Sequence, residues 1–337
     1  MIRGIKWLRP LGILYSAILS FRHALYNTGI LKPQLGKLPT IVIGNLAFGG
    51  TGKTPHAEYI LRQLHQWCKP ALLSRGYGRS TRGFIWANRI KANASIIGDE
   101  PMQILLKFPD LDVAVCENRV RGVEYLKTLT NSNVVVLDDA FQHRRLKGDL
   151  NILLTCYDHP YWNDSVFPGG SLRDTRQAAS RADVVIVTKC PLSLSRDEQD
   201  ECIKAIGFKS NRQVFFTRME YGTPYSLFSK ETELVKGSGV IGFAGLADNS
   251  TFRQHITSKY NLVHFESFAD HHTFSLKEIQ ELWSKYGNFA QALVTTEKDA
   301  VRLRNMTDLE GIPIYVIPIS IAFLNNESDF IQLLRST

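Results

Sequence analysis

Thr40-Ile-Val-Ile-Gly-Asn-Leu-Ala-Phe-Gly-Gly-Thr-Gly-Lys-Thr-Pro55 is the stretch on which the reading of this chain turns. Thr40–Ile43 reads as a strand, and Ala57, Ile60, Leu61 and Leu64 recur at i, i+3, i+4 and i+7, the stripe of a following helix. The glycine-rich turn between them ends in Gly52-Lys53-Thr54. Glycines let backbone N–H groups turn inward around phosphate oxygens, and the helix N-terminus adds partial positive charge. In such a loop Lys53 reaches the β- and γ-phosphates and the Thr54 hydroxyl ligates Mg²⁺. Pro55 falls in the first helical turn, where a missing N–H costs little. The usual spacing would put glycine at position 47, where this chain has Ala47, with Gly49-Gly50 just ahead of Thr51. The expected nucleotide-binding residues are Ala47, Phe48, Gly49, Gly50, Thr51, Gly52, Lys53 and Thr54. The alternative, a strand-to-helix turn with no ligand, sits poorly with an intact Gly-Lys-Thr between a strand and a helix.

A phosphate loop needs a carboxylate on its metal side. Val134-Val-Val-Leu-Asp-Asp139 supplies an apolar strand ending in two aspartates. A buried parallel strand delivers its last residues to the carboxyl edge of the sheet, where the loop also lies. Asp138 would hold Mg²⁺ directly or through water, with Asp139 assisting; an ordinary acidic turn is the other reading. Val184–Val187 is followed by Thr188-Lys-Cys-Pro191, which lacks the aspartate of a guanine-reading Asn-Lys-x-Asp turn and so leans toward ATP. Asn151–Leu154, Gly239–Ala244, Ala292–Thr295 and Ile312–Ile317 are further strand candidates, with helical runs among them. The pattern predicts an α/β protein with a P-loop NTPase core on a mostly parallel sheet over 31–215. A smaller α/β domain follows over 216–337, after a polar, irregular passage near 205–235.

The 337 residues are 44% hydrophobic and 21% charged, which excludes a disordered chain. A net charge of +8 suits an anionic partner: nucleic acid, a phosphorylated metabolite or an acidic membrane surface. Five scattered cysteines with no Cys-x-x-Cys pair argue against a disulfide framework or a zinc site, and favour a reducing compartment. Within residues 1–30, Arg3, Lys6 and Arg9 precede the apolar run Leu11–Phe21, which Arg22 closes. That run is about half the roughly 20 residues of a membrane span. No clear signal-peptide cleavage site follows it. It fits an amphipathic helix lying in a membrane interface, or an ordinary helix packed on the domain.

The order of several motifs resembles the tetraacyldisaccharide 4′-kinase family of lipid A biosynthesis. Besides the loop and Asp138-Asp-Ala-Phe-Gln-His143, the set includes Leu73-Ser-Arg-Gly-Tyr-Gly-Arg79, Gly98-Asp-Glu-Pro101 and Gly170-Ser-Leu-Arg-Asp174. Gly242-Phe-Ala-Gly-Leu-Ala247, Phe268-Ala-Asp-His-His272 and Thr295-Thr-Glu-Lys-Asp299 complete it. Ala140 stands where glycine is common in the family. The resemblance implies transfer of the γ-phosphate of ATP, with Mg²⁺, to the 4′-hydroxyl of tetraacyldisaccharide 1-phosphate, giving lipid IVA. It also implies a peripheral enzyme on the cytoplasmic face of the bacterial inner membrane, with residues 1–30 as the membrane-facing element and no nucleic acid as partner. On this reading Asp99 positions the acceptor hydroxyl and takes its proton, with His271 as its partner; His272 is adjacent, and Asp99 alone reads as a helix cap before Ile104-Leu-Leu106. Such a pair would join the two domains at one site. Arg75, Arg79, Arg173 and Arg176 are candidates for anion contacts, Arg75 foremost, and Gln142 and His143 for lining the acceptor pocket. The rivals are a P-loop ATPase or GTPase switch that needs no acceptor, and a nucleic-acid-binding protein, for which no motif is evident.

Overall fold

Every residue of Thr40–Asn45, Val134–Leu137 and Val184–Thr188 is buried, as in strands covered on both faces. The computed structural model describes residues 5–207, 213–229 and 233–337. Arg3 of the basic flank, and 208–212 and 230–232 of the expected irregular passage, lie outside the described residues.

The larger sheet has nine strands in the order Ile319–Phe323, Gln213–Tyr221, Val184–Thr188, Leu150–Cys156, Thr40–Asn45, Val134–Leu137, Pro70–Ser74, Asp112–Val115 and Ile85–Trp86. Its inner seven run parallel, and the two edge strands antiparallel. Thr40–Asn45 lies beside Val134–Leu137, so the glycine loop and the aspartate pair leave the same sheet edge as neighbours. Helix Lys53–Leu64 buries the predicted stripe Ala57, Ile60, Leu61 and Leu64 in the core beneath that sheet. This is the P-loop α/β architecture.

A second sheet of five strands runs Tyr225–Ser226, Ile314–Ile317, Ala292–Thr296, Gly239–Ala244 and Asn261–Ser267, antiparallel only at Tyr225–Ser226. The chain leaves Gly239–Ala244 first to one side and then to the other. Strand order therefore reverses there, which opens a crevice beyond the carboxyl ends.

The division between the units differs from the expected 215/216. Gln213–Tyr221 continues the large sheet across that point, and Ile319–Phe323 returns to pair with it. Helix Glu327–Arg335 then packs Phe330 and Leu334 into the large core, where Phe330 meets Phe215 and Phe323. Half-buried positions in both strands interrupt the apolar signal that marks the inner ones.

Helix Arg9–Asn27 buries Gly12 and His23 and leaves Leu11, Ile13, Leu14, Ile18 and Phe21 exposed, with Trp7 just ahead of it 79% exposed. Leu19 packs against the core, and the rest of its attachment is by small and polar groups. Gly12 lies against the backbone of Val166 and Gly169, His23 Nε2 bonds Asp174 at 2.6 Å, and Arg22 donates to the Gln142 carbonyl. Among the described residues no helix is long and apolar enough to cross a membrane.

Candidate active site

The glycine loop leaves its strand and is at once pinned on one side. The Phe48 N–H donates to the Ser171 carbonyl and Arg173 N–H to that of Leu46, so Ala47 and Phe48 form a short ladder with 171–173. The turn itself needs glycine: Gly49 and Gly52 sit at φ +115° and +82°. Buried side chains hold the rest. Asn45 Nδ2 donates to Thr51 Oγ1 at 2.9 Å, and Thr188 Oγ1 to the Thr51 carbonyl at 3.0 Å. Helix Lys53–Leu64 opens with no side-chain cap, so its first-turn N–H groups face the concavity with the Lys53 ammonium. The Phe48 N–H is engaged by Ser171, and Ala47 and Phe48 line the cavity at the loop together with Gly49, Gly50 and Thr51.

Asp138 and Asp139 differ sharply. Asp139, at φ +48°, receives Arg173, with Lys53 Nζ 3.9 Å away. Burial opposes its charge, but Lys53 and Arg173 outweigh it and hold the carboxyl at about 2. Asp138 is pushed up to about 7 by burial, then by Asp139 and Glu100. Its Oδ1 is buried with no hydrogen-bond partner. An orphaned buried carboxylate oxygen at the end of the strand next to the phosphate loop fits a hard cation. With two carboxylates only, phosphate oxygens and water would complete the shell, as suits Mg²⁺. Among the described residues no cluster of three or more His, Cys, Asp or Glu offers a site for a softer metal.

Asp99 begins helix Asp99–Lys107 but makes no cap; Gly98, at φ +95°, holds that position. Its carboxylate is 3% exposed and accepts from His271 Nδ1 at 2.8 Å. Arg302 donates through Nε and Nη2 at 2.7 and 2.6 Å, a bidentate fork. Burial opposes the Asp99 charge, yet these hydrogen bonds prevail and hold it below the ordinary carboxylate value. A carboxylate can only accept, so His271 carries its proton on Nδ1, and Nε2 faces Lys298 Nζ at 3.1 Å. His271 sits at φ +59°, and Arg302 also binds the carbonyls of His271 and His272. His272 points elsewhere: it pairs with Glu278 at 3.0 Å and stacks on Phe268.

Of the other predicted residues, Arg75 is exposed at the end of Pro70–Ser74, close enough for its charge to act on Arg119. Arg79 is held by Glu117 and the Gly83 carbonyl, and Arg176 by the Asp164 carbonyl. Gln142 Nε2 donates to the Asn45 carbonyl at 2.8 Å, bracing the loop's strand. His143 has a buried, unpartnered Nδ1, and burial, then Arg119, lowers its pKa to about 4. Sequence reasoning missed Lys298 and Arg302, although their i, i+4 spacing on one helix was readable. It also missed Arg119, 2% exposed behind Asp138, whose pKa burial lowers to about 10.

A nucleotide cradle faced by a second domain that carries its own charged and titratable groups suits a P-loop kinase better than a hydrolytic switch, since water needs no second sheet to hold it. Comparison with known proteins narrows that class. The chain matches the family model for tetraacyldisaccharide-1-P 4′-kinase over residues 5–337 and belongs to that family. The tetraacyldisaccharide 4′-kinase of Flavobacterium johnsoniae is 38% identical over 330 residues, 96% of this chain and 94% of its own length. That of Flavobacterium psychrophilum is 41% identical over 332 residues, with the same coverage. The structure of LpxK from Aquifex aeolicus in complex with ATP is similar at a TM-score of 0.77 and 27% identity, over 98% of each chain.

Proposed function

We propose a division of labour for the family's reaction, transfer of the γ-phosphate of ATP to the 4′-hydroxyl of tetraacyldisaccharide 1-phosphate. Gly49–Thr54 hold the β- and γ-phosphates, with Lys53 neutralising charge on the transferred group. Thr54 and Asp138 hold Mg²⁺, and Asp139 keeps Lys53 and Arg173 in place. The metal, when bound, neutralises charge on the phosphate oxygens. Asp99, kept ionised by the hydrogen bonds from His271 and Arg302, fixes the Nδ1–H tautomer of His271, and the pair accepts the hydroxyl proton at Nε2 when the acceptor hydroxyl takes the place of the Lys298 ammonium there. Arg75 and His143, both within reach of the Arg119 charge behind Asp138, would line the entry of the acceptor. The single observation that carries this reading is the 2.8 Å bond between Asp99 of one domain and His271 of the other.

The exposed apolar side chains of helix Arg9–Asn27, with Arg9 and Arg22 among them, support peripheral attachment to an acidic bilayer surface, the cytoplasmic face of the inner membrane. The test of the nucleotide site is incubation with γ-labelled ATP, Mg²⁺ and the acceptor. Lys53→Ala and Asp138→Ala should each abolish labelling of the lipid; full activity in either would reject the assignment.

A further inference from the structure

A phosphate loop works only if its carbonyls point away from the anion, because each one facing inward repels it. In this chain the carbonyl of Gly52, the residue before the phosphate-reaching lysine, is held from behind by a buried histidine. His56 is 1% exposed, and its Nδ1 lies 2.7 Å from the Gly52 oxygen. Its Nε2 lies 3.0 Å from Thr217 Oγ1, and Thr217 is wholly buried. The carbonyl can only accept, so Nδ1 carries a proton, and burial keeps the ring neutral, so Nε2 accepts from the threonine hydroxyl. The ring is therefore a fixed, neutral strut, set in one tautomer from both ends.

We propose that His56 is a positioning residue for nucleotide binding: its Nδ1–H anchors the Gly52 carbonyl outward, so that the following Lys53 N–H points into the phosphate cradle. Three observations support it. Gly52 stands at φ +82°, a conformation the helix backbone supports through a single 3.2 Å bond from the His56 N–H to the same oxygen. Thr188 does the same for the preceding carbonyl, that of Thr51, so two successive carbonyls are tied back by buried side chains. And Thr217 lies on Gln213–Tyr221, the strand by which the chain leaves the large sheet for the second domain, in register with Phe323 on the strand by which it returns. The loop is thus braced against the two crossings between domains.

The proposal rests on reading 49–54 as the nucleotide site, and the experiment separates the two. ATP affinity by calorimetry, the KM for the lipid acceptor and the thermal midpoint are measured for His56→Leu, His56→Asn and Lys53→Ala. Leucine fills the space without a donor; asparagine keeps an N–H at the Nδ1 position. Weakening of ATP binding about ten-fold or more in His56→Leu is expected, with acceptor KM unchanged and most of the affinity restored in His56→Asn. Folded His56→Leu that binds ATP like the parent, while Lys53→Ala does not, would overturn the role of His56 alone. ATP binding unchanged in Lys53→Ala would overturn the site itself. Should His56→Leu fail to fold, Thr217→Val, which frees the ring's far end, should weaken ATP several-fold; parental affinity there would overturn the proposal.

Discussion

Asp138 and Asp139 follow one another at the end of one strand, yet burial and the neighbouring Asp139 charge raise the proton affinity of the first while Lys53 and Arg173 lower that of the second. The same contrast of burial and partners governs Asp99, where the His271 hydrogen bond and the Arg302 guanidinium fork together outweigh burial. Replacing that fork is the direct test. In Arg302→Gln the Asp99 carboxyl should take up a proton at higher pH, moving the acid limb of the kcat/KM profile upward while the alkaline limb stays. A profile that falls in height without moving would mean that Arg302 only supports the fold. A carboxyl held below its ordinary 3.8 also stabilises the native state above that pH and loses this contribution as pH falls further. At this scale much was legible. Gly52-Lys53-Thr54 and the aspartate pair announce their chemistry by type and spacing. Arg119 does not, since nothing around it in sequence says that its side chain turns back beneath Asp138. Gln142 reads as a pocket residue from its place after the aspartates; that its amide also braces the strand of the loop could not be read from the sequence.

Helices Asp99–Lys107 and Glu297–Leu303 lie against one another across the two units, with Asp99 and Arg302 at one end of the contact. At the other, Lys107 Nζ bridges Glu58 at 2.6 Å and Glu297 at 2.8 Å, all largely buried. Burial raises Glu58, and Lys107 only partly offsets it. Lys107→Met should therefore destabilise the protein by about 3 kcal/mol, because removing one member of a buried ion cluster leaves uncompensated charge. The loss should grow with pH as the two carboxylates ionise, and denaturant melts at pH 6 and pH 8 would measure it. Equal stability of parent and variant would contradict a load on this contact. Helix Arg9–Asn27 carries a different expectation. Trp7, Leu14 and Phe21 replaced together by serine should lower partitioning onto anionic vesicles on the order of a hundred-fold, at about 1 kcal/mol for each side chain. Vesicle sedimentation checks it, and unchanged partitioning would contradict interfacial attachment. Element by element, the inner strands were legible as unbroken apolar runs. Gln213–Tyr221 and Ile319–Phe323 were not, because their half-buried residues carry no such signal.

Across the whole molecule, the two units meet where Asp99 of one binds His271 and Arg302 of the other. The large sheet presents the phosphate cradle, Asp138 and the turn that carries Gly98 and Asp99. The reversal point of the small sheet presents the loop Phe268–His272 and the helix that carries Lys298 and Arg302. Two units could be read from the alternation of strands and helices, but not that Arg302 and His271 share one carboxylate, since residues 172 to 203 positions apart meet only through the packing of the units. The central claim is that the acceptor hydroxyl is activated across that junction, and transfer of γ-label from ATP to tetraacyldisaccharide 1-phosphate by His271→Ala and Asp99→Asn tests it most directly. Label should pass to the lipid in the parent and fall about 10²- to 10⁴-fold in each variant, with ATP binding retained. Parental transfer rates in both variants, or label released by the parent only as free phosphate, would contradict the account.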